Sequence, residues 1–201
     1  MGSVLKIVIV IGGVVLAVFI GATLFFRHVL AQNSKERKPA EQVYNGEGEE
    51  NALILYQPSP HGTTDTMAMA AAEALQELGY TVVVNHPSRW LDYDLSDYQA
   101  LGFGSAVYMG TVSGPLLDYM RSHPFTGKRV FLFSAGSDLR QKPELDRMES
   151  AVPPGNMVSK VKVKRGEEEL IKGILREQFA GGVSAGAGPL EAEAAQEESL
   201  E

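Results

Sequence analysis

The chain contains no cysteine among its 201 residues. Without thiols it forms no disulfide bonds, holds no iron–sulfur cluster through thiolates and has no cysteine nucleophile. Any redox chemistry must therefore reside on a bound organic cofactor. The four histidines show no metal-ligand spacing, and no carboxylate pair suggests hydrolytic acid–base catalysis. We therefore assign neither a metal site nor catalytic side chains.

Basic residues are also scarce, since 18 Lys and Arg stand against 25 Asp and Glu. A net charge of −7 argues against a nucleic-acid partner. The GK[ST] ending of nucleoside triphosphatases is absent. Gly102-Phe103-Gly104 follows an apolar run, but the next glycine, Gly110, lies too far along for a dinucleotide turn.

One long apolar run lies near the start of the chain. From Val4 to Phe26 the only charged residue is Lys6. At about 1.5 Å per residue, a helix of this length crosses a hydrocarbon layer about 30 Å thick. We expect a retained single-pass anchor that contacts the lipid bilayer through residues 4–26. The alternative is a signal peptide cleaved after Ala31, although its apolar core would be too long.

The residues around this run predict its orientation and a possible pairing face. Four basic residues follow it: Arg27, Lys35, Arg37 and Lys38. By the positive-inside rule, the globular part lies in the cytoplasm, on the inner side of the cell membrane. Gly13, Ala17 and Gly21 recur every four residues, a spacing typical of paired membrane helices. A weak homodimer through the anchor is one interpretation, and the general abundance of glycine in membrane helices is the other.

The most informative segment is LILYQPSPHGTTDTMA, residues 53–68. A short apolar run passes through a loop of Ser, Pro, His, Gly and Thr into an alanine-rich helical pattern. The free N–H groups of a helix start and the positive end of the helix dipole form an anion site. Gly62 allows close backbone approach, and the loop hydroxyls add donors. With no fixed cation in the loop, this arrangement favours one phosphate monoester; the alternative is an ordinary strand-to-helix turn.

The remaining pattern predicts an α/β fold with a parallel sheet covered on both faces. Five strands are expected: Ala52–Tyr56, Tyr80–Val84, Ala100–Ser105, Arg129–Ser134 and Val158–Val163. Four helices are expected: Thr64–Leu78, Ser113–Ser122, Pro143–Ala151 and Glu167–Phe179. The predicted organisation is an anchor (1–31), a flexible polar tether (32–50), one α/β domain (51–180) and a disordered acidic tail (181–201). Trp90, between the second and third strands, is assigned a structural role.

The loop Ser59-Pro60-His61-Gly62-Thr63-Thr64 resembles the [ST]-x-T-G-x-T motif of the flavodoxin-like family, with His61 in place of the middle threonine. The blocks DLSDYQALGFGSAVYMGTVSGPLLDYM and GKRVFLFSAGSD resemble that family's third and fourth strands with their flavin loops. The histidine variant is most similar to flavodoxin-domain proteins related to menaquinone-dependent protoporphyrinogen oxidase. The resemblance implies a three-layer sandwich with strand order 2-1-3-4-5 that binds FMN. The segment 135–157 departs from it by being short, which leaves the ring edge of such a site either incomplete or open to a partner.

The resemblance also assigns site residues. The phosphate would be held by Ser59, His61, Gly62, Thr63 and Thr64, although His61 fits equally well as an exposed loop histidine. The flavin ring would lie against Ser105, Val107, Tyr108, Met109, Gly110, Ser134, Ala135, Gly136 and Asp138. Among these, Tyr108 offers a broad face for stacking, or alternatively caps the sheet edge, and Met109 lines the ring or packs internally.

Two functions follow from these expectations. The first is a membrane-anchored FMN protein that transfers electrons, as a carrier or as a reductase or oxidase. Its partner would be a redox protein, a membrane quinone or a porphyrinogen-type substrate. The second is a flavodoxin fold without flavin that acts as a membrane-tethered binding or scaffolding module.

Overall fold

The computed structural model describes residues 2–108, 110–136 and 142–179. Its strands are β1 (Gln42–Tyr44), β2 (Asn51–Gln57), β3 (Thr81–Asn85), β4 (Ala100–Ala106), β5 (Arg129–Ala135) and β6 (Met157–Val163). Its α-helices are α1 (Gly2–Asn33), α2 (Thr63–Glu77), α3 (Gly114–Ser122), α4 (Pro143–Glu149) and α5 (Glu168–Phe179). The predicted strands and helices are thus all present, with boundaries close to those expected. The predicted acidic tail, 181–201, lies outside the described residues.

The strands form one six-stranded sheet in the order β1-β3-β2-β4-β5-β6. From β3 to β6 all neighbours are parallel, whereas β1 pairs antiparallel with β3. Numbered without β1, the five predicted strands have the predicted order 2-1-3-4-5. The flavodoxin-like α/β class is therefore confirmed, with one additional edge strand.

Burial on both faces explains the continuous apolar run of β2. Ile54 and Tyr56 point toward the core beneath α2 and α5, while Leu53 and Leu55 point toward the core beneath α3 and α4. All four side chains are at most 4% exposed. Such two-sided burial is typical of a parallel strand between helical layers. Because β2 ends at Gln57, the residues that follow it lie at the carboxyl edge of the sheet.

Gly102 and Gly104 serve sheet packing. A Cβ atom on Gly104 would lie 2.0 Å from the ring of Phe133, its partner on β5, and one on Gly102 would lie 3.0 Å from Ile54. Both neighbours are fully buried. The glycines therefore leave the space that these two large side chains fill. The packing agrees with the spacing argument against a dinucleotide turn.

The segment predicted as a flexible tether is attached to the domain. Lys35, Lys38 and Ala40 contact the carboxyl ends of β2 and β3 through their backbone groups, and β1 then joins the sheet. The prediction was wrong here because a short strand of three residues carries no detectable periodicity and the other contacts are to distant side chains. We call residues 34–41 the linker.

Two further features concern the surface. Helix α1 contains a stretch, Lys6–His28, of mean hydropathy 2.8 that is long and apolar enough to cross a membrane, and none of it is buried against the chain.

Trp90, assigned a structural role from the sequence, is 61% exposed and contributes to neither core. That assignment was therefore wrong.

Candidate functional site

The predicted site loops converge at one edge of the sheet. Strands β2, β4 and β5 are parallel neighbours, so their carboxyl ends lie side by side. Residues 58–62, 107–113 and 136 follow these ends directly. Strand β2 is also the point where the chain order reverses, with β3 on one side and β4 on the other. Ligands of open α/β sheets bind in the crevice at such a switch point.

The first loop closes onto the start of α2. Gly62 precedes the helix with φ +69°, a left-handed conformation that glycine adopts without strain, and provides no side-chain cap. The hydroxyl of Ser59 takes the capping role, because its Oγ accepts a hydrogen bond of 3.1 Å from the Thr64 N–H. The Gly62 N–H donates to the Ser59 carbonyl at 3.0 Å. The loop is therefore a compact turn whose hydroxyl and amide groups surround the helix N-terminus.

Donors in this loop test whether an anion fits. The Thr64 side chain is fully buried, yet its Oγ1 has no hydrogen-bond partner. Among the described residues, the N–H groups of Thr63 and Asp65 likewise have no backbone acceptor. A buried hydroxyl without a partner costs about 1–3 kcal/mol, which a ligand oxygen would recover. Together with the helix dipole, these donors fit a phosphate monoester.

Asp65 places a negative charge beside the same loop. Its carboxylate accepts a hydrogen bond of 3.1 Å from the Ser59 N–H. Burial raises the pKa of Tyr56 to about 12, and the Asp65 charge adds to this effect. Burial also raises the pKa of Tyr108, and the charge of the same carboxylate adds a smaller contribution. Because β2 and β4 are parallel neighbours, the loops that follow them, and with them the predicted phosphate and ring regions, are adjacent.

The second loop is held by buried polar contacts. The Ser105 Oγ donates to the Ala106 carbonyl at 2.9 Å and accepts from the Ser113 N–H at 3.0 Å. Tyr108 and Thr111 form a reciprocal pair of backbone bonds across a turn in which Gly110 has φ +71°. Arg147 of α4 donates to the Gly110 carbonyl at 3.1 Å. Tyr108 is thus presented, half-buried, on a braced turn.

The third loop begins against the second. The Val107 N–H donates to the Ala135 carbonyl at 2.9 Å, and Gly136 lies beside Val107 and Lys162. Beneath this contact, Glu144 of α4 forms an ion pair of 2.7 Å with Lys162 of β6, and both side chains are at most 6% exposed. The Ser134 hydroxyl donates to the same Glu144 oxygen at 3.1 Å. A buried charged cluster therefore supports the third loop.

The structure separates the predicted site residues into groups. It brings Ser59, Gly62, Thr63, Thr64, Val107, Tyr108, Gly110, Ala135 and Gly136 to the same edge. It buries the hydroxyls of Ser105 and Ser134 in internal hydrogen bonds. His61 is exposed, and its carbonyl accepts a hydrogen bond from Arg165. Met109 and Asp138 lie outside the described residues.

Two contributors were missed by sequence reasoning. Arg165, in the turn after β6, brings a guanidinium to the first loop, which itself contains no Lys or Arg. Its position after a parallel strand was the available signal, because such strands end at one edge. Asp65 was missed because nothing local shows that its carboxylate turns back to Ser59.

Comparisons with known proteins agree with this geometry. The flavodoxin domain family matches residues 53–187. An uncharacterised protein of Methanocaldococcus jannaschii is 31% identical over 83 residues, which cover 41% of this chain and 52% of that protein. The chain thus spans about half the length of this relative.

Solved structures share the fold. Rubredoxin:oxygen oxidoreductase of Desulfovibrio gigas superposes with a TM-score of 0.53 at 19% identity, over 67% of this chain and 37% of that one. A short-chain flavodoxin associated with a bacterial microcompartment gives 0.52 at 20% identity, over 66% and 95%. Oxidised flavodoxin 2 of Bacillus cereus gives 0.50 at 18% identity, over 66% and 99%. With the family match over residues 53–187, the fold and the loop at the start of α2, the chain belongs to the flavodoxin domain family.

Proposed function

We propose that this chain is a membrane-anchored FMN protein that transfers electrons, either as a carrier or as a flavin-dependent reductase or oxidase. The observation that carries the proposal is the buried Thr64 hydroxyl, which lacks a partner at the start of α2. Ser59, Gly62, Thr63 and Thr64 would hold the phosphate. Val107, Tyr108, Gly110, Ala135 and Gly136 would line the ring. Bound FMN would supply the redox chemistry, since this cysteine-free chain has no thiol couple of its own.

The nature of the partner is part of the proposal. A membrane quinone, a porphyrinogen-type substrate or a redox protein fits an anchored flavin domain, and the His61 variant supports a relationship to protoporphyrinogen oxidases.

The basic residues after the apolar span support a domain that faces the cytoplasm. Protease added to intact cells should leave the domain whole, whereas cleavage from outside or a mature N-terminus near residue 32 would contradict this topology.

A second function is favoured by one observation. Two donors of the loop are already used within it, because the Thr64 N–H donates to Ser59 Oγ and the Ser59 N–H donates to the Asp65 carboxylate. A flavodoxin fold that no longer binds flavin, and instead serves as a membrane-tethered binding or scaffolding module, fits a loop with these internal bonds. Cofactor analysis separates the two functions.

The purified full chain should release FMN, and not FAD, on heating. The donor set at the start of α2 fits a single phosphate, and the spacing from Gly104 to Gly110 does not match a dinucleotide turn. Absorbance of the native protein and mass analysis of the released cofactor provide the measurement. Recovery of FAD would contradict the single-phosphate site. Failure to take up FMN from excess cofactor would favour the scaffolding function.

Replacing Tyr108 with alanine should weaken FMN binding by about tenfold, as expected for the loss of one aromatic stack. It should also increase the fluorescence of bound flavin, which stacking quenches. The reduction potential should rise, because the electron-rich ring disfavours the anionic reduced flavin. Tyr108→Phe is the matched control, since it keeps the ring. Unchanged affinity, fluorescence and potential in the alanine variant would place the flavin ring elsewhere.

A further inference from the structure

The linker joins α1 to one particular edge of the domain. Backbone bonding continues the helix to Ser34, whose N–H donates to the Leu30 carbonyl at 3.1 Å. The next residue, Lys35, already accepts a hydrogen bond of 3.0 Å from Gln57, the last residue of β2. At most about 3.5 Å of chain per residue separates these two points. The end of α1 therefore lies against the carboxyl edge of the sheet.

Further contacts hold the linker along this edge. The Glu36 carboxylate pairs with Arg89 at 2.7 Å and accepts from the Arg89 N–H at 2.6 Å. The Ala40 N–H donates to Asn85 Oδ1 at 2.7 Å. Asn85 ends β3, and Arg89 lies in the loop that follows it. The linker therefore follows the ends of β2 and β3 and does not act as a free tether.

Helix length then sets the distance from the bilayer. Helix α1 has 32 residues, or roughly 48 Å at about 1.5 Å per residue. A bilayer is about 40–45 Å thick including its headgroups. A helix that spans this thickness ends near the outer limit of the headgroup layer. The carboxyl edge, attached within one residue of the helix, is brought to the same level.

The edge has the chemistry of a membrane surface contact. Trp90 is 61% exposed, and the Arg89 guanidinium lies 5.4 Å from its ring centroid. Lys35 and Lys38, in the linker bonded to this edge, are exposed. Tryptophan and basic side chains are enriched at the headgroup level, where anionic lipids attract the cations. At the opposite edge, before β2, the exposed residues Glu47 and Glu49 have the opposite charge.

We infer that the carboxyl edge of the sheet rests on the anionic headgroup surface of the bilayer, with Trp90 in the headgroup layer. This inference rests on the membrane anchor of the proposed function. The loops at Ser59–Gly62 and Tyr108–Thr111 lie on this edge, so the candidate site faces the membrane. A quinone dissolved in the bilayer, or a membrane protein, reaches such a site directly, whereas a soluble carrier does not.

The single tryptophan of the chain makes the inference testable. The full chain is reconstituted into phosphatidylcholine–phosphatidylglycerol vesicles containing lipids brominated near the headgroup. The matched control, Trp90→Phe with Glu49→Trp, moves the lone indole to the opposite edge, about 20 Å away along a seven-residue strand. Quenching of Trp90 should exceed quenching of the control by about threefold or more, since interfacial tryptophans lie at headgroup depth.

A second variant tests the role of the linker. Insertion of about twelve Gly and Ser residues between Ser34 and Lys35 creates a flexible spacer about 20 Å in length. Quenching of Trp90 should then fall to the level of the control. Equal quenching at both edges or no quenching at Trp90 would overturn the inference, whereas undiminished quenching after the insertion would show that the side chains of the edge hold it on the lipid without the linker.

Two further measurements on the same vesicles test the proposed function separately from the inference. Extraction of the protein by carbonate would refute the anchor, and absence of flavin absorbance would refute the cofactor. Trp90 quenching in carbonate-resistant protein without flavin would leave the inference standing while the redox function failed.

Discussion

The double variant Ser59→Ala, Thr64→Ala should bind FMN about a hundredfold or more less tightly than the native chain. Hydrogen bonds to a charged group contribute about 1.5–3 kcal/mol each, and about 1.4 kcal/mol corresponds to a factor of ten in affinity. Thr64 is the stronger contributor, because its hydroxyl is buried without a partner. Ser59 caps α2 through its Oγ, and its hydroxyl proton would be available to a phosphate oxygen. Fluorescence titration with FMN measures the two dissociation constants.

Thr66→Ala is the matched control for this variant. Thr66 lies in the same turn, but its hydroxyl is exposed and donates to the Gly62 carbonyl at 2.9 Å. Its loss should change the FMN dissociation constant by less than about threefold. Thr64→Ser, which keeps the hydroxyl, should retain most of the affinity. A double variant with native affinity would show that the phosphate is bound elsewhere.

The parts of the fold and site that could be predicted are those with local causes. Three features can each be recognised within about ten residues of sequence. They are the alternation of β2 between two cores, the glycine at the end of α2 and the hydroxyl-rich turn after Tyr56. Gly79, for example, has φ +94°, and its N–H bonds the Gln76 carbonyl at 2.9 Å. A helix end of this kind needs no knowledge of the remaining chain.

The parts that could not be predicted depend on contacts between distant segments. Arg165 reaches the His61 carbonyl across 104 residues, and Arg89 reaches Glu36 across 53. Neither partner shows a local pattern that selects the other. The attachment of the linker to Gln57 and Asn85 is of this kind. Only the parallel topology, once known, places such residues at one edge.

Removal of the buried charge of Glu144 should destabilise the domain strongly. The paired side chains of Glu144 and Lys162 are 1% and 6% exposed. Glu144→Ala leaves the ammonium without this carboxylate and leaves the Ser134 hydroxyl without its acceptor. Breaking a buried ion pair in this way costs about 3–5 kcal/mol. For a domain of this size, the melting temperature should fall by about 10 °C.

The double variant Glu144→Leu, Lys162→Met provides the matched test of this cause. A buried ion pair replaced by apolar side chains of similar volume is often neutral in stability, because both desolvation costs disappear together. Its melting temperature should therefore return to within about 4 °C of the native value. Thermal unfolding of the full chain in mild detergent, followed by circular dichroism, measures all three proteins. Equal losses in the single and double variants would show that packing at α4, and not the uncompensated charge, is the cause.

FMN binding by the double variant tests a second role of the ion pair, at the third loop. Ser134 and Gly136 lie directly above the pair, so a stable double variant that binds FMN less tightly would show that the cluster also positions the loop.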